Sequence, residues 1–176
     1  MKEKGFTLIE VMVASLVFLL VIGAVIGLLT SVIQNQVSSL KDQKAVSEIS
    51  YAMEYMSRSL RMAKKDISGL CTGSSGQVYQ ISPGEREITF INYYGKCQMF
   101  GAELLIGGGL RIYERRSTDE NFSNFLNPVH ISSAYIYTEE IFFRQSLSNP
   151  PRITINVRAG LDSETLMNLQ TTISQR

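Results

Sequence analysis

The sequence predicts an α+β protein. One long N-terminal helix, apolar enough in its first half to span a bilayer, packs its second half on an antiparallel β-sheet. Three observations carry this expectation. Residues 11–33 contain no charged side chain. Val46, Ile49, Met53, Met56, Leu60, Ala63 and Ile67 recur at spacings of three and four, one face of a helix. Beyond Gly69 the chain breaks into short runs with period-two alternation, separated by Gly, Pro, Ser and Asn.

The first element is the apolar run, Val11 to Ile33. Its 23 residues make a helix of roughly 34 Å at 1.5 Å per residue, enough for a hydrocarbon core of about 30 Å. Only a helix satisfies its own backbone there. A secretory signal peptide fits poorly, because the run is long and no small-x-small cleavage site follows it. Lys2 and Lys4 before the span and Lys41 and Lys44 after it leave orientation undecided by charge. Glu10 stands at the head of the run. A carboxylate at mid-bilayer costs roughly 2.5–3.5 kcal/mol, so Glu10 either stays in the headgroup layer or has a partner.

The remaining composition is that of a water-exposed domain. Of the 33 charged side chains, 29 lie in residues 34–176. Lys and Arg number 17 and Asp and Glu 16, a net charge of +1, which argues against a nucleic-acid grip. With one histidine, His130, and two cysteines, Cys71 and Cys97, the chain alone cannot build a Cys₄ or Cys₂His₂ zinc site. No metal, cofactor or catalytic residue is predicted. Gly107-Gly108-Gly109 lacks a following Lys-Ser or Lys-Thr and reads as a hairpin turn. Asp119-Glu120 and Asp162-Ser163-Glu164 are incomplete as calcium loops and read as solvated acids. His130 has no local nucleophile and reads as a loop or surface residue.

Residues 1–14 run Met-Lys-Glu-Lys-Gly-Phe-Thr-Leu-Ile-Glu-Val-Met-Val-Ala. The charged leader, Gly5, Phe6, Thr7-Leu8-Ile9, Glu10 and the apolar run, in that order, resemble the class III signal of type IV pilins and type II secretion pseudopilins. The resemblance covers about the first 33 residues. It implies cleavage by a prepilin peptidase between Gly5 and Phe6 and N-methylation of Phe6. The helix then serves first as an inner-membrane anchor, with the N-terminus cytoplasmic and the body periplasmic or extracellular, and later as filament core. Gly5, lacking a Cβ, lets the backbone lie extended against a protease. In a filament packed by apolar residues, the Phe6 amine of one subunit and Glu10 of another are costly unless paired, so Glu10 becomes an assembly residue. Gly23 and Gly27 are weak evidence for close helix packing or for local unwinding.

The resemblance also implies a pilin-like fold and a structural rather than enzymatic role. The partners are other pilin or pseudopilin subunits, the prepilin peptidase, an inner-membrane assembly platform and membrane lipid. The strand-rich C-terminal stretch, Leu169 to Arg176, looks like the final strand of minor pseudopilins, most like the J-type. The expected subunit is therefore a minor one near a filament tip, supporting pilus assembly, protein secretion or DNA uptake. A major pilin, or a single-pass membrane-anchored binding module, are the alternatives. In the inferred orientation Cys71 and Cys97 lie in an oxidising compartment and are expected to pair; two free buried thiols are the alternative.

These readings divide the chain into a leader at 1–5, a membrane or filament-core helix at 6–33, its amphipathic extension at 34–67 and a β-rich body at 68–176. The helix is expected to run from about Phe6 to about Asp66 and to end at Ser68-Gly69. Four to six strands are expected, with runs at 87–92, 110–115, 134–144, 152–158 and 166–174. Residues 68–86, 95–109 and 116–133 are read as loops.

Overall fold

The computed structural model describes residues 7–104, 109–119, 121–133, 136–146, 150–160 and 166–174. Among the described residues one α-helix, α1 (Leu8–Arg61), precedes eight strands: β1 (Tyr79–Ile81), β2 (Ile88–Ile91), β3 (Cys97–Leu104), β4 (Leu110–Arg116), β5 (Val129–His130), β6 (Tyr137–Ser146), β7 (Arg152–Gly160) and β8 (Met167–Ser174). The strands form one antiparallel sheet in the order β1-β2-β3-β4-β6-β7-β8, with β5 paired to β4. The fold is α+β and pilin-like, as expected. The chain divides into two units, residues 1–41 and 42–176, with the boundary inside α1.

In the second unit α1 buries Ala45, Ile49, Ala52, Met53, Met56, Ser57 and Leu60. Ile49, Met53, Met56, Leu60 and Ala63 of the expected stripe belong to the core. The ends of that stripe do not: Val46 is 37 % exposed and Ile67 is 85 % exposed. The helix also stops about five residues earlier than expected. Leu60 C=O accepts the Tyr79 hydroxyl at 2.7 Å and Ala63 N–H at 3.2 Å. These bonds satisfy a helix-end carbonyl, and Lys64 N–H then donates to Ile91 C=O at 2.8 Å, drawing the chain onto β2.

The sheet covers the helix with Ile88, Phe90, Phe100, Ile112, Ile141, Phe143, Ile153, Ile155, Val157 and Ile173. β7 alternates as the sequence predicts, with Ile153, Ile155, Val157 and Ala159 buried. β6 meets β4 only at Thr138 opposite Leu110. Near its other end, Phe143 N–H donates to Glu85 C=O in the β1–β2 turn at 2.8 Å. The sheet therefore wraps around the core rather than lying flat.

Three strands fall where loops were expected. β3, placed in the expected loop 95–109, is buried on both faces over Cys97, Gln98, Met99, Phe100 and Gly101, so its sequence shows no alternation. β1 has three residues and β5 two, too short for any periodicity. Of the glycine run, Gly109 is described and holds φ +83° against the Tyr137 ring. It ends the β3–β4 connection, consistent with a hairpin; Gly107 and Gly108 lie outside the described residues.

Candidate functional site

The candidate site is the N-terminal unit. Thr7 C=O accepts the N–H groups of Glu10 and Val11 at 3.1 and 3.3 Å, which opens α1 with Glu10 in its first turn. A carboxylate there is favoured by the helix dipole. Beyond it, α1 exposes Leu8, Ile9, Val11, Met12, Val13, Leu16 and the apolar residues that follow, through Ile33. Two hydroxyls in this stretch bond to the helix's own backbone. Ser15 Oγ donates to Met12 C=O and Thr30 Oγ1 to Ile26 C=O, both at 2.9 Å. An apolar helix whose hydroxyls bond to its own backbone is compatible with lipid or with a protein interior.

This helix is long and apolar enough to cross a membrane, and the apolar window is unburied within the chain. A Cβ added at Gly23 or Gly27 would meet nothing within 4 Å, so packing inside this chain does not require those glycines. Glu10 is exposed at the head of the helix. Gly5 and Phe6, the expected cleavage pair, lie outside the described residues.

The body binds its own polar groups. Cys71 and Cys97 form a disulfide with a Cα–Cα distance of 5.6 Å, packed with Ile91 and Phe125. The bridge ties the segment after α1 to the start of β3. Asp66, expected at the end of the helix, lies beyond it, and its buried carboxylate organises that segment. Its Oδ1 accepts Ser68 Oγ–H at 2.9 Å and Gly69 N–H at 2.7 Å. Its Oδ2 accepts Cys71 N–H at 2.9 Å, Thr72 N–H at 2.7 Å and Thr72 Oγ1–H at 3.1 Å. Burial alone would raise this pKa; the hydrogen bonds from Thr72, Ser68, Cys71 and Gly69 outweigh it and hold the carboxyl below its ordinary value of 3.8. The Asp-Ile-Ser-Gly string carries residue types that suit such a turn, but nothing local to it gives the reach to Thr72.

Glu114 is a second buried carboxylate. It accepts Tyr55 Oη–H at 2.9 Å and Gln98 Nε2–H at 2.7 Å, and pairs with Arg116. His130 lies on β5, not in a loop, and pairs with Glu103 of β3. Asp119 accepts Asn121 N–H and Asn124 Nδ2–H at 2.9 and 2.7 Å, so its carboxylate closes a local turn. Asp162 and Glu164 lie outside the described residues. Among the described residues no cluster of three metal-ligating side chains occurs.

Residues 1–26 match the family model described as the prokaryotic N-terminal methylation motif. This is the class III signal and indicates the type IV pilin and pseudopilin family. The match supports a pilin- or pseudopilin-type precursor, a structural class. With the exposed apolar helix, it points to membrane anchoring. No curated protein and no solved structure matched the chain.

Proposed function

We propose that this chain is a minor pilin or pseudopilin subunit. It is held in the inner membrane by α1 with its N-terminus cytoplasmic, then drawn into a short filament, near whose tip it sits. The reading rests on one observation: the methylation motif at 1–26 includes the start of an exposed apolar helix with Glu10 in its first turn. A prepilin peptidase cuts between Gly5 and Phe6, and the new Phe6 amine is methylated. That amine is the partner for Glu10 of a neighbouring subunit, a pairing that offsets the desolvation of both charges and sets axial register. An assembly platform in the inner membrane and other pilin-type subunits are the partners.

A minor position is favoured by the body. Its described connections are irregular, including the Asp66 loop and the 3-10 turn at Phe122–Asn124. A wall subunit must match copies above and below, whereas a cap need match only those beneath. The strand-rich ending keeps the J-type likeness as the reading within that class.

Intact-mass analysis of the full chain purified from its membrane tests this. The expected product begins with N-methylated Phe6, and Gly5→Val leaves an uncut precursor. A product that retains residues 1–5 with no filament refutes the reading and leaves an anchored binding module. Counting chains in sheared filaments separates minor from major: dominance along the fibre overturns only the minor position.

A further inference from the structure

Within residues 42–176 a cleft of about 180 Å³ opens between the last turns of α1 and the turn that joins β2 to β3. Its apolar walls are Tyr55, Met62, Tyr93 and Tyr94. The two turn tyrosines are 61 % and 82 % exposed and meet edge to face, with ring centres 5.6 Å apart. Exposed aromatic rings at a cleft are unusual for a residue type that is mostly covered.

The turn is fixed by Asn92. Its Oδ1 accepts Tyr94 N–H at 2.9 Å and Lys96 N–H at 3.1 Å. Two main-chain donors on Oδ1 settle the orientation of the amide, so Nδ2 is turned the other way. Gln98 is settled in the same manner: its Nε2 donates to Glu114 Oε1 at 2.7 Å, which leaves Oε1 over. Both side chains line the cleft, and both residues are buried, at 7 % and 3 % exposed. Asn92 Nδ2 and Gln98 Oε1 form no hydrogen bond among the described residues, and neither atom is sealed off. The cleft therefore presents one fixed donor and one fixed acceptor from buried amides.

Charge and size narrow the ligand. Arg58 and Arg116 line the cleft, and Lys64 Nζ lies 5.1 Å from the Tyr93 ring centre. The Arg58–Glu54 pair is exposed on both sides and is worth little, so Arg58 is free to exchange partners. Arg116 uses Nε on Glu114 and Nη2 on Tyr55 Oη, which leaves Nη1. Glu114 already accepts from Tyr55, Gln98 and Arg116. The unspent charge is positive. The volume is below that of a drug-sized site and suits one ring rather than a running chain. A hydroxyl both donates and accepts, so neighbouring hydroxyls of one ring meet Asn92 Nδ2 and Gln98 Oε1 together. A single trans peptide group points its N–H and C=O opposite ways and meets only one of them.

We propose that this cleft binds a carboxylated sugar ring, a uronic acid residue of a glycan. The tyrosine rings take its C–H face, Asn92 and Gln98 its hydroxyls, and Arg58 and Arg116 its carboxylate.

Methyl NMR tests this on the full chain in a sugar-free detergent, with ¹³C in the methionine methyl groups. The Met62 signal is assigned by its loss in Met62→Leu. Glucuronate should shift it saturably, and glucose should bind roughly 5- to 10-fold more weakly. Arg58→Gln should bring glucuronate down to the level of glucose. Tyr94→Ala should weaken both sugars roughly 3- to 10-fold. Both variants alter exposed side chains, and unchanged signals from the other methionines confirm the fold. Absence of a saturable shift with glucuronate overturns the proposal, as does equal binding of glucose and glucuronate. A glucuronate shift unaffected by either variant places the sugar elsewhere and overturns it too. Adenosine monophosphate and a peptide of alternating Asp and Phe are titrated alongside; tighter binding of either replaces the sugar as ligand. No filament enters the measurement, so its failure leaves the assembly role standing.

Discussion

Asp66→Asn isolates the contribution of one buried carboxylate to the body. Five donors converge on its two oxygens, three of them backbone N–H groups. Asn offers one acceptor oxygen and one NH₂. If the oxygen faces Cys71 and Thr72, the NH₂ opposes Gly69 N–H; in the other orientation it opposes Cys71 N–H and Thr72 N–H. Ser68 and Thr72 hydroxyls can turn to accept, but backbone donors cannot. At least one N–H is left unmet, at about 1–3 kcal/mol, and the surviving bonds lose charge assistance. The expected loss is therefore about 2–4 kcal/mol at pH 7, read as a lower denaturant midpoint with an unchanged slope. The measurement is made on oxidised protein, so the Cys71–Cys97 bridge is constant. The pH dependence supplies a second arm. Because the folded pKa lies below 3.8, the stability from Asp66 is fully present above that value. It is lost as pH falls through the folded pKa. The wild type should therefore lose its advantage over the Asp66→Asn variant on acidification below pH 3.8. Equal midpoints at pH 7, or a difference that persists unchanged into acid, would refute the assignment of Asp66 as organiser of this loop.

Three further outcomes are expected. Cys71→Ser opens a bridge of sequence separation 26 and should cost about 3–4 kcal/mol in the entropy model; the variant should show one alkylatable thiol where the native chain shows none. Gly101→Ala places a Cβ 2.8 Å from Tyr113 Oη, displacing the hydroxyl that donates to Glu87 at 2.7 Å. The expected cost is about 1–2 kcal/mol by thermal unfolding, and a neutral result would show that the Tyr113 ring shifts freely. Glu10→Val should insert in the membrane at wild-type level, since it removes only a charge, but co-purify less with neighbouring pilin subunits; full co-assembly would remove Glu10 from the assembly interface.

What the chain order alone determined was local or periodic. The charge-free run is read from contiguous composition, whereas the Met53-Met56-Leu60 spacing and the alternation of Ile153, Ile155 and Val157 record a solvent boundary that repeats with the backbone. The N-terminal string was legible because its information is a contiguous set of residue types, and the family match falls on the same stretch. Tertiary structure decided the rest. The end of α1 depends on Tyr79, which lies 19 residues from the Leu60 carbonyl it satisfies. β3 carries no sequence signal because cover on both faces erases period two, and β1 and β5 carry none because they are too short. Asp66, expected at the helix end, takes its role from Cys71 and Thr72, which fold back on it.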